Sequence, residues 1–397
     1  MLNIEPQYTG KIAFLHLGFR PFFFAALAYG VVSIALWMII YTFGINLLPN
    51  NYPIISWHAH EMIFGFTAAT VTGFLLTAVK NWTGIQTVHH LPLFALFLLW
   101  LSARILVFIP GNWVLPTLAV IDSAYLLFVT LAFSHPVFKK QQWNNLAFSG
   151  KLLLLFIANV VFYLGLTGVL KNGVHLGLYG GFYTVLAIIF NMGRRVIPFF
   201  IEKGLGCPFE AKNYHWVDKS SLWLFLAFSL ADIFLPNSIW VAILAAALII
   251  LHGTRLYGWY HNNIWKKSLL WVLYVGYLWI VVGFLLKLLA VFVSISPYLA
   301  LHAFAYGGIG MVTAGMMARV SLGHTGNNVF NPPAILHLIF GLLFIGAFTR
   351  VILPLFLNQY YVELIGVAQL FWISAFALFF IRYAPMLIKA RVDGRYG

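Results

Sequence analysis

Residues 57–80 read WHAHEMIFGFTAATVTGFLLTAVK, and the interpretation of that stretch decides the fold. After two histidines and Glu61 it runs without a charge to Lys80. At about 1.5 Å of rise per residue, an apolar α-helix of roughly 20 residues spans a hydrocarbon core of about 30 Å. Blocks of the same kind recur along the chain, and they place spans near 22–43, 57–79, 91–109, 114–134, 149–170, 174–195, 219–236, 238–260, 268–293, 297–319, 332–355 and 361–384. Composition agrees, because 62% of the residues are hydrophobic and only 8% charged, too few to coat a surface facing water. The expected fold class is an all-α integral membrane protein with twelve transmembrane helices, and its principal partner is the lipid bilayer.

The formal charge of +14 follows topology rather than nucleic-acid binding. Lys and Arg at the span ends and in the connections fall in the N-terminal segment, at the even-numbered loops (Lys80, Lys139, Lys140, Arg194, Arg195, Arg255) and in the C-terminal segment, whereas the odd-numbered loops carry only Lys171. That asymmetry places both termini in the cytoplasm. Residues 1–21 include Glu5 and Lys11 and lead into a full-length span with no small-residue cleavage pattern, so the first helix is expected to be retained. The single Cys207 excludes an internal disulfide and a thiolate cluster.

A repeat lies beneath the topology. His60, His175 and His302 each begin the pattern His-x-x-x-aromatic-Gly, completed by Phe64-Gly65, Tyr179-Gly180 and Tyr306-Gly307. At this composition thirteen histidines would produce about 0.15 such matches by chance. Each motif opens an even-numbered span and is followed at the cytoplasmic end by Lys80, Arg195 or Arg319. A second marker, around Arg104, Asp232 and Arg350, keeps the same spacing. The unit is therefore four helices, and the chain is read as a single membrane domain, 1–397, of three pseudo-repeats over 20–140, 141–262 and 263–390.

By these helix directions His58, His60, His175 and His302 sit near the outer ends of their helices. Neutral imidazole suits haem iron, copper or zinc, so the four are candidate metal ligands, set against the plainer reading of hydrogen-bonded interfacial residues. Seven charges fall in the outer half of the membrane: Glu61, Arg104, Asp122, Asp232, Lys287, Arg350 and Glu363. Each costs about 2.5 to 3.5 kcal/mol on insertion scales and calls for an explanation. Mutual ion pairs that lock the bundle are one; haem propionates received by Arg104, Arg350 or Lys287 are another. A proton or anion path is a third. His16, His89, His90, His135, His215 and His324 fall in cytoplasmic loops and are expected to be solvated, while His252, His261 and His337 have no assigned role. No phosphate loop, nucleophile elbow or His-Glu-x-x-His zinc motif occurs.

Three strings carry a family resemblance: Trp57-His58-Ala59-His60-Glu61-Met62 continuing to Lys80-Asn81-Trp82-Thr83-Gly84, Gly193-Arg194-Arg195-Val196-Ile197-Pro198, and Ala318-Arg319-Val320-Ser321-Leu322-Gly323-His324. Together they resemble the NnrS family of bacterial membrane proteins. The resemblance implies a haem- and copper-containing protein of the bacterial inner membrane, linked to denitrification and protective against nitrosative stress, with nitric oxide or an iron-nitrosyl species as its ligand and a nitric-oxide-related oxidoreductase as a candidate activity. The architecture is also similar to the catalytic subunit of haem-copper oxidases. By that analogy His60 and His302 would ligate a haem, and His175, alone or with His58, would hold copper; Arg104 and Arg350 remain candidates for haem propionates on the strength of their charge alone. The paired histidines on helices seven and ten in the oxidase pattern are missing here, which argues against a full binuclear site. Two rival readings stand beside this one: a multi-span transporter of a small anion or metal-related solute, and a structural or assembly partner.

Overall fold

The computed structural model describes residues 10–50 and 52–397, so Glu5 lies outside the described residues. Those residues are helical throughout, with one isolated antiparallel bridge and no strand. In chain order the helices are α1 Phe19–Thr42, α2 Ile54–Thr83, α3 His90–Leu106, α4 Val114–Lys139, α5 Leu146–Leu166, α6 Gly173–Gly204, α7 His215–Phe234, α8 Ile239–Trp259, α9 Ser268–Ala290, α10 Pro297–His324, α11 Ile335–Val351 and α12 Tyr361–Ile388. Ten among the described residues are long and apolar enough to cross a membrane. The other two are α3, apolar but only 17 residues long, and α7, which carries Asp218, Lys219 and Asp232.

The helix ends follow local chemistry. Pro53 precedes α2 in an extended conformation, and Pro297 occupies the first turn of α10, where its missing N–H costs nothing. Gly84 ends α2 with φ +72°, and its N–H closes onto the Lys80 carbonyl at 2.8 Å, a left-handed stop that glycine adopts without strain. Ser238 caps α8, its hydroxyl accepting from the Val241 N–H.

Among the described residues three helices carry a π-turn: one ends α1 at Met38–Thr42, and the other two follow histidines. A π-turn, Glu61–Thr67, begins directly after His60 in α2, and another, Ala303–Gly310, directly after His302 in α10. The corresponding stretch of α6 after His175 stays α-helical. A π-turn adds a residue to the turn and loosens carbonyls from the i−4 ladder. In α2 the Trp100 indole N–H donates to the Gly65 carbonyl at 3.0 Å, and the Thr67 hydroxyl donates to that of Met62 at 2.7 Å.

Contacts gather the chain into two compact units, each described by itself: unit 1 is Met1–Val185, Met317–Val329 and Phe376–Gly397, and unit 2 is Leu186–Met316 and Phe330–Ala375. In unit 1, α2 packs against α1 and α4, and α4 against α3 and α5. The two ends of the chain meet there. Ile12 bridges Lys389, the Ala13 N–H reaches the Ile388 carbonyl at 2.8 Å, and the Ala390 N–H reaches that of Lys11 at 3.1 Å. Arg20, a cytoplasmic surface charge by its sequence position, is instead wholly buried. Its guanidinium donates to the carbonyls of Leu387 at 3.0 Å and Lys389 at 2.7 Å, which the end of α12 leaves without helical partners, and to that of Gly397 beyond the helix at 2.5 Å. Chain ends joined in this way require an even number of crossings between them. In unit 2, α9 packs against α8, α10 and α11, and α7 against α8.

Candidate functional site

Five helices of unit 1 each bring a polar side chain to one buried place. Arg104 of α3 donates through Nη1 to Glu61 Oε2 of α2 at 2.7 Å and through Nη2 to Asp122 Oδ1 of α4. Tyr29 of α1 donates to Glu61 Oε2, and Tyr163 of α5 donates to Asp122 Oδ2 at 3.2 Å. His60 lies between the carboxylates: Nδ1 is 3.1 Å from Glu61 Oε1, and Nε2 is 2.9 Å from Asn159 Oδ1 and 3.3 Å from Asp122 Oδ2. None of His60, Glu61, Arg104 and Asp122 is more than 4% exposed.

The protonation state of His60 follows from its neighbours. Both ring nitrogens face carboxylate or amide oxygens, an arrangement that suits an imidazolium. The site then balances: Glu61 and Asp122 against Arg104 and His60. Removing four charges from water is costly, and it is sustained only where each is paired and its remaining hydrogen-bonding positions are filled. Asn159 and the two tyrosines fill those positions. The aromatic faces of Phe162, at 4.5 Å from the His60 ring, and Phe64, at 4.9 Å, keep out water.

The glycine of the first His-x-x-x-aromatic-Gly motif has a reason here. A Cβ on Gly65 would stand 2.7 Å from Arg104 Nη1 and 2.8 Å from the Tyr29 ring, so only glycine lets the guanidinium reach Glu61. Gly307, its counterpart in α10, gives room to Trp279, whereas a Cβ on Gly180 would meet only Ala158 at an ordinary 3.7 Å.

The remaining candidates are placed as follows. His58 is half-buried and stacks on Trp37 at 4.4 Å, and His175 is exposed and packs against Tyr179 at 4.5 Å. His302 is half-buried, with Nδ1 2.7 Å from the Tyr298 carbonyl. A carbonyl only accepts, so Nδ1 holds the hydrogen and the lone pair is on Nε2, the tautomer of a metal-ligating histidine oriented by its backbone. His60 differs, since an imidazolium has no lone pair, and its expected part as a ligand requires Glu61 or Asn159 to let go. Among the described residues no three His, Cys, Asp or Glu side chains are grouped so as to hold a metal. Five of the seven intramembrane charges satisfy one another, because Lys287 also pairs with Asp232 at 2.7 Å in unit 2. Arg350 lies over the Tyr361 ring at 5.4 Å, and Glu363 is exposed.

Unit 2 holds a polar cluster that sequence reasoning left without a role. His252 of α8 is fully buried, and its Nδ1 lies 2.7 Å from the Tyr277 hydroxyl of α9. Arg255 donates to that hydroxyl at 2.8 Å, to Asp218 at 2.6 Å and to Ser221 at 3.1 Å. Arg255 can only donate, so the hydroxyl proton of Tyr277 goes to His252 Nδ1, and Nε2 carries the ring hydrogen. That N–H has no partner among the described residues. The His252-x-x-Arg255 spacing, one helical turn, was the available signal.

Compared with known families, residues 13–391 match the family model described as NnrS protein. A comparison with curated proteins found no match.

Proposed function

The chain belongs to the NnrS family, and from that premise we propose that it is a multi-pass protein of the bacterial inner membrane that binds haem and copper and acts in the response to nitric oxide. Its ligand is nitric oxide or an iron-nitrosyl species, taken up near the outer face, in a denitrification setting where it protects against nitrosative stress. When bound, haem iron and copper supply affinity for nitric oxide and one-electron chemistry.

The observation that carries this reading is His302. It stands at the head of a π-turn, and its Nδ1 hydrogen is committed to the Tyr298 carbonyl, which presents the Nε2 lone pair. Within unit 2, His302 is assigned to iron and Arg350 to the haem propionates; within unit 1, His58 and His175 are taken separately as nitrogen donors for copper. His60 and Arg104 act differently in their observed state: both are held by carboxylates, and they fix α2, α3 and α4 against one another.

We read α3 and α7 as the two spans beyond the ten, making twelve in three four-helix repeats with both termini cytoplasmic. The joined chain ends support an even number, and the Lys and Arg asymmetry supports the orientation. A transporter has less support, because five of the seven intramembrane charges are consumed in pairs rather than spaced along a path.

The test is the optical spectrum and metal content of the purified protein. A Soret band that shifts with nitric oxide is expected, and it should be lost in His302→Ala. Absence of both iron and copper from the protein as isolated from its membrane would overturn the reading.

A further inference from the structure

Unit 1 has an apolar groove of about 520 Å³ between α1 and the final turns of α12. Phe24 meets Phe380 edge-on at 5.0 Å and closes the inner end. Ile381, Pro385 and Ile388, spaced i, i+4 and i+7, stand along one face of α12, and Ala384 forms the floor. From Phe380 to Lys389 the groove follows about 13 Å of helix axis, along the direction that lipid chains take. Ile381 is 70% exposed, which an aqueous surface would penalise and a membrane would not.

The mouth is basic. Lys389 lines it, and the Ala390 N–H bonded to the Lys11 carbonyl at 3.1 Å puts the backbone of Lys11 on the neighbouring segment. Both lysines are exposed, and neither has an acidic partner among the described residues. Exposed lysines without an acidic partner attract an external counter-charge, and Lys389 stands at the end of an open groove whose other lining side chains are all apolar. We propose that the groove seats one acyl chain of a phospholipid whose anionic headgroup lies on Lys389 and Lys11. A zwitterionic lipid would fill the groove without neutralising the lysines. A lysine near an anionic headgroup contributes about 1 kcal/mol, equivalent to roughly a fivefold preference for each cation.

The experiment is native mass spectrometry of the full-length protein released from nanodiscs of mixed phosphatidylglycerol and phosphatidylcholine with identical chains. One retained phosphatidylglycerol, favoured about fivefold or more, is expected. The Lys11→Gln, Lys389→Gln double variant should equalise the two lipids. Ala384→Leu, which fills the floor, should lower retention, and the lysine variant tests the proposal independently should Ala384→Leu fold poorly. Equal retention by the unaltered protein, or a preference that survives the double variant, would overturn the proposal. So would an Ile381→Cys, Cys207→Ser variant that cross-links into a dimer, since a second copy would then occupy the groove.

Discussion

Arg104 holds Glu61 across 2.7 Å where neither side chain is more than 3% exposed, and the same guanidinium holds Asp122. One planar cation therefore ties three helices, a geometry an ammonium cannot reproduce with two fixed forks. Arg104→Met should lower stability by about 3 to 5 kcal/mol, since it leaves two buried carboxylates facing His60 alone. Arg104→Lys should fall between the two. Thermal unfolding in detergent measures both, and adding Glu61→Gln and Asp122→Asn to Arg104→Met should restore part of the loss. A triple variant no more stable than Arg104→Met would show that the charges are not the cause.

Much of this site was visible in the residues before any coordinates. Glu61, Arg104 and Asp122 stand out because a charge among apolar neighbours is costly, and mutual pairing was one of the explanations open for them. Pairing was not decidable, because Tyr29, Asn159 and Tyr163 look like ordinary residues of apolar helices until α1 and α5 pack. The π-turns after His60 and His302 were also hidden, since the motif reads the same in α6, where the helix stays regular. The helical membrane fold was legible because span length and hydropathy are properties of the chain alone. His16, expected to be solvated, is buried for the opposite reason: position near a span end marks a residue as cytoplasmic, but says nothing of a terminus folding back over it, as it does over Arg20 too.

That fold-back gives Arg20 its role. Its donors reach carbonyls of Leu387, Lys389 and Gly397, and no substitution retains the fork. Arg20→Lys and Arg20→Ala should both loosen the end of α12. Hydrogen exchange of amides 386–397 should rise in both, while that of α4 should stay as it was. Unchanged protection at the chain end would show that the bridge at Ile12 holds it alone.

In unit 2, the Tyr277 hydroxyl links His252 Nδ1 to Arg255 through bonds of 2.7 and 2.8 Å, shorter than the 3.4 Å at which Arg255 Nη1 itself stands from Nδ1. Tyr277→Phe leaves a buried imidazole acceptor and one guanidinium N–H unfilled, at about 1 to 3 kcal/mol. Adding His252→Phe removes the acceptor as well, so the double variant should be no worse than the single one. Melting curves of the two decide it; additive losses would mean that the pair is not coupled.

His16 supplies a pH dependence. It is 4% exposed, stacks on Tyr396 at 4.3 Å, and has His89, His90 and Arg20 nearby. Burial first, and then the Arg20 charge, lower its pKa from the ordinary 6.5 to about 4. The folded chain thus binds this proton more weakly than the unfolded chain. The stability gained by keeping His16 neutral is full above about 6.5, declines as pH falls toward about 4, and is constant below that. His16→Phe keeps a ring against Tyr396 and cannot titrate, so it should remove this part of the slope. Melting temperatures of the two proteins should run parallel above pH 7 and converge or cross between pH 6.5 and 4. Parallel curves through that window would mean that His16 takes its proton equally well in both states, and that its burial beneath the chain end does not oppose the charge.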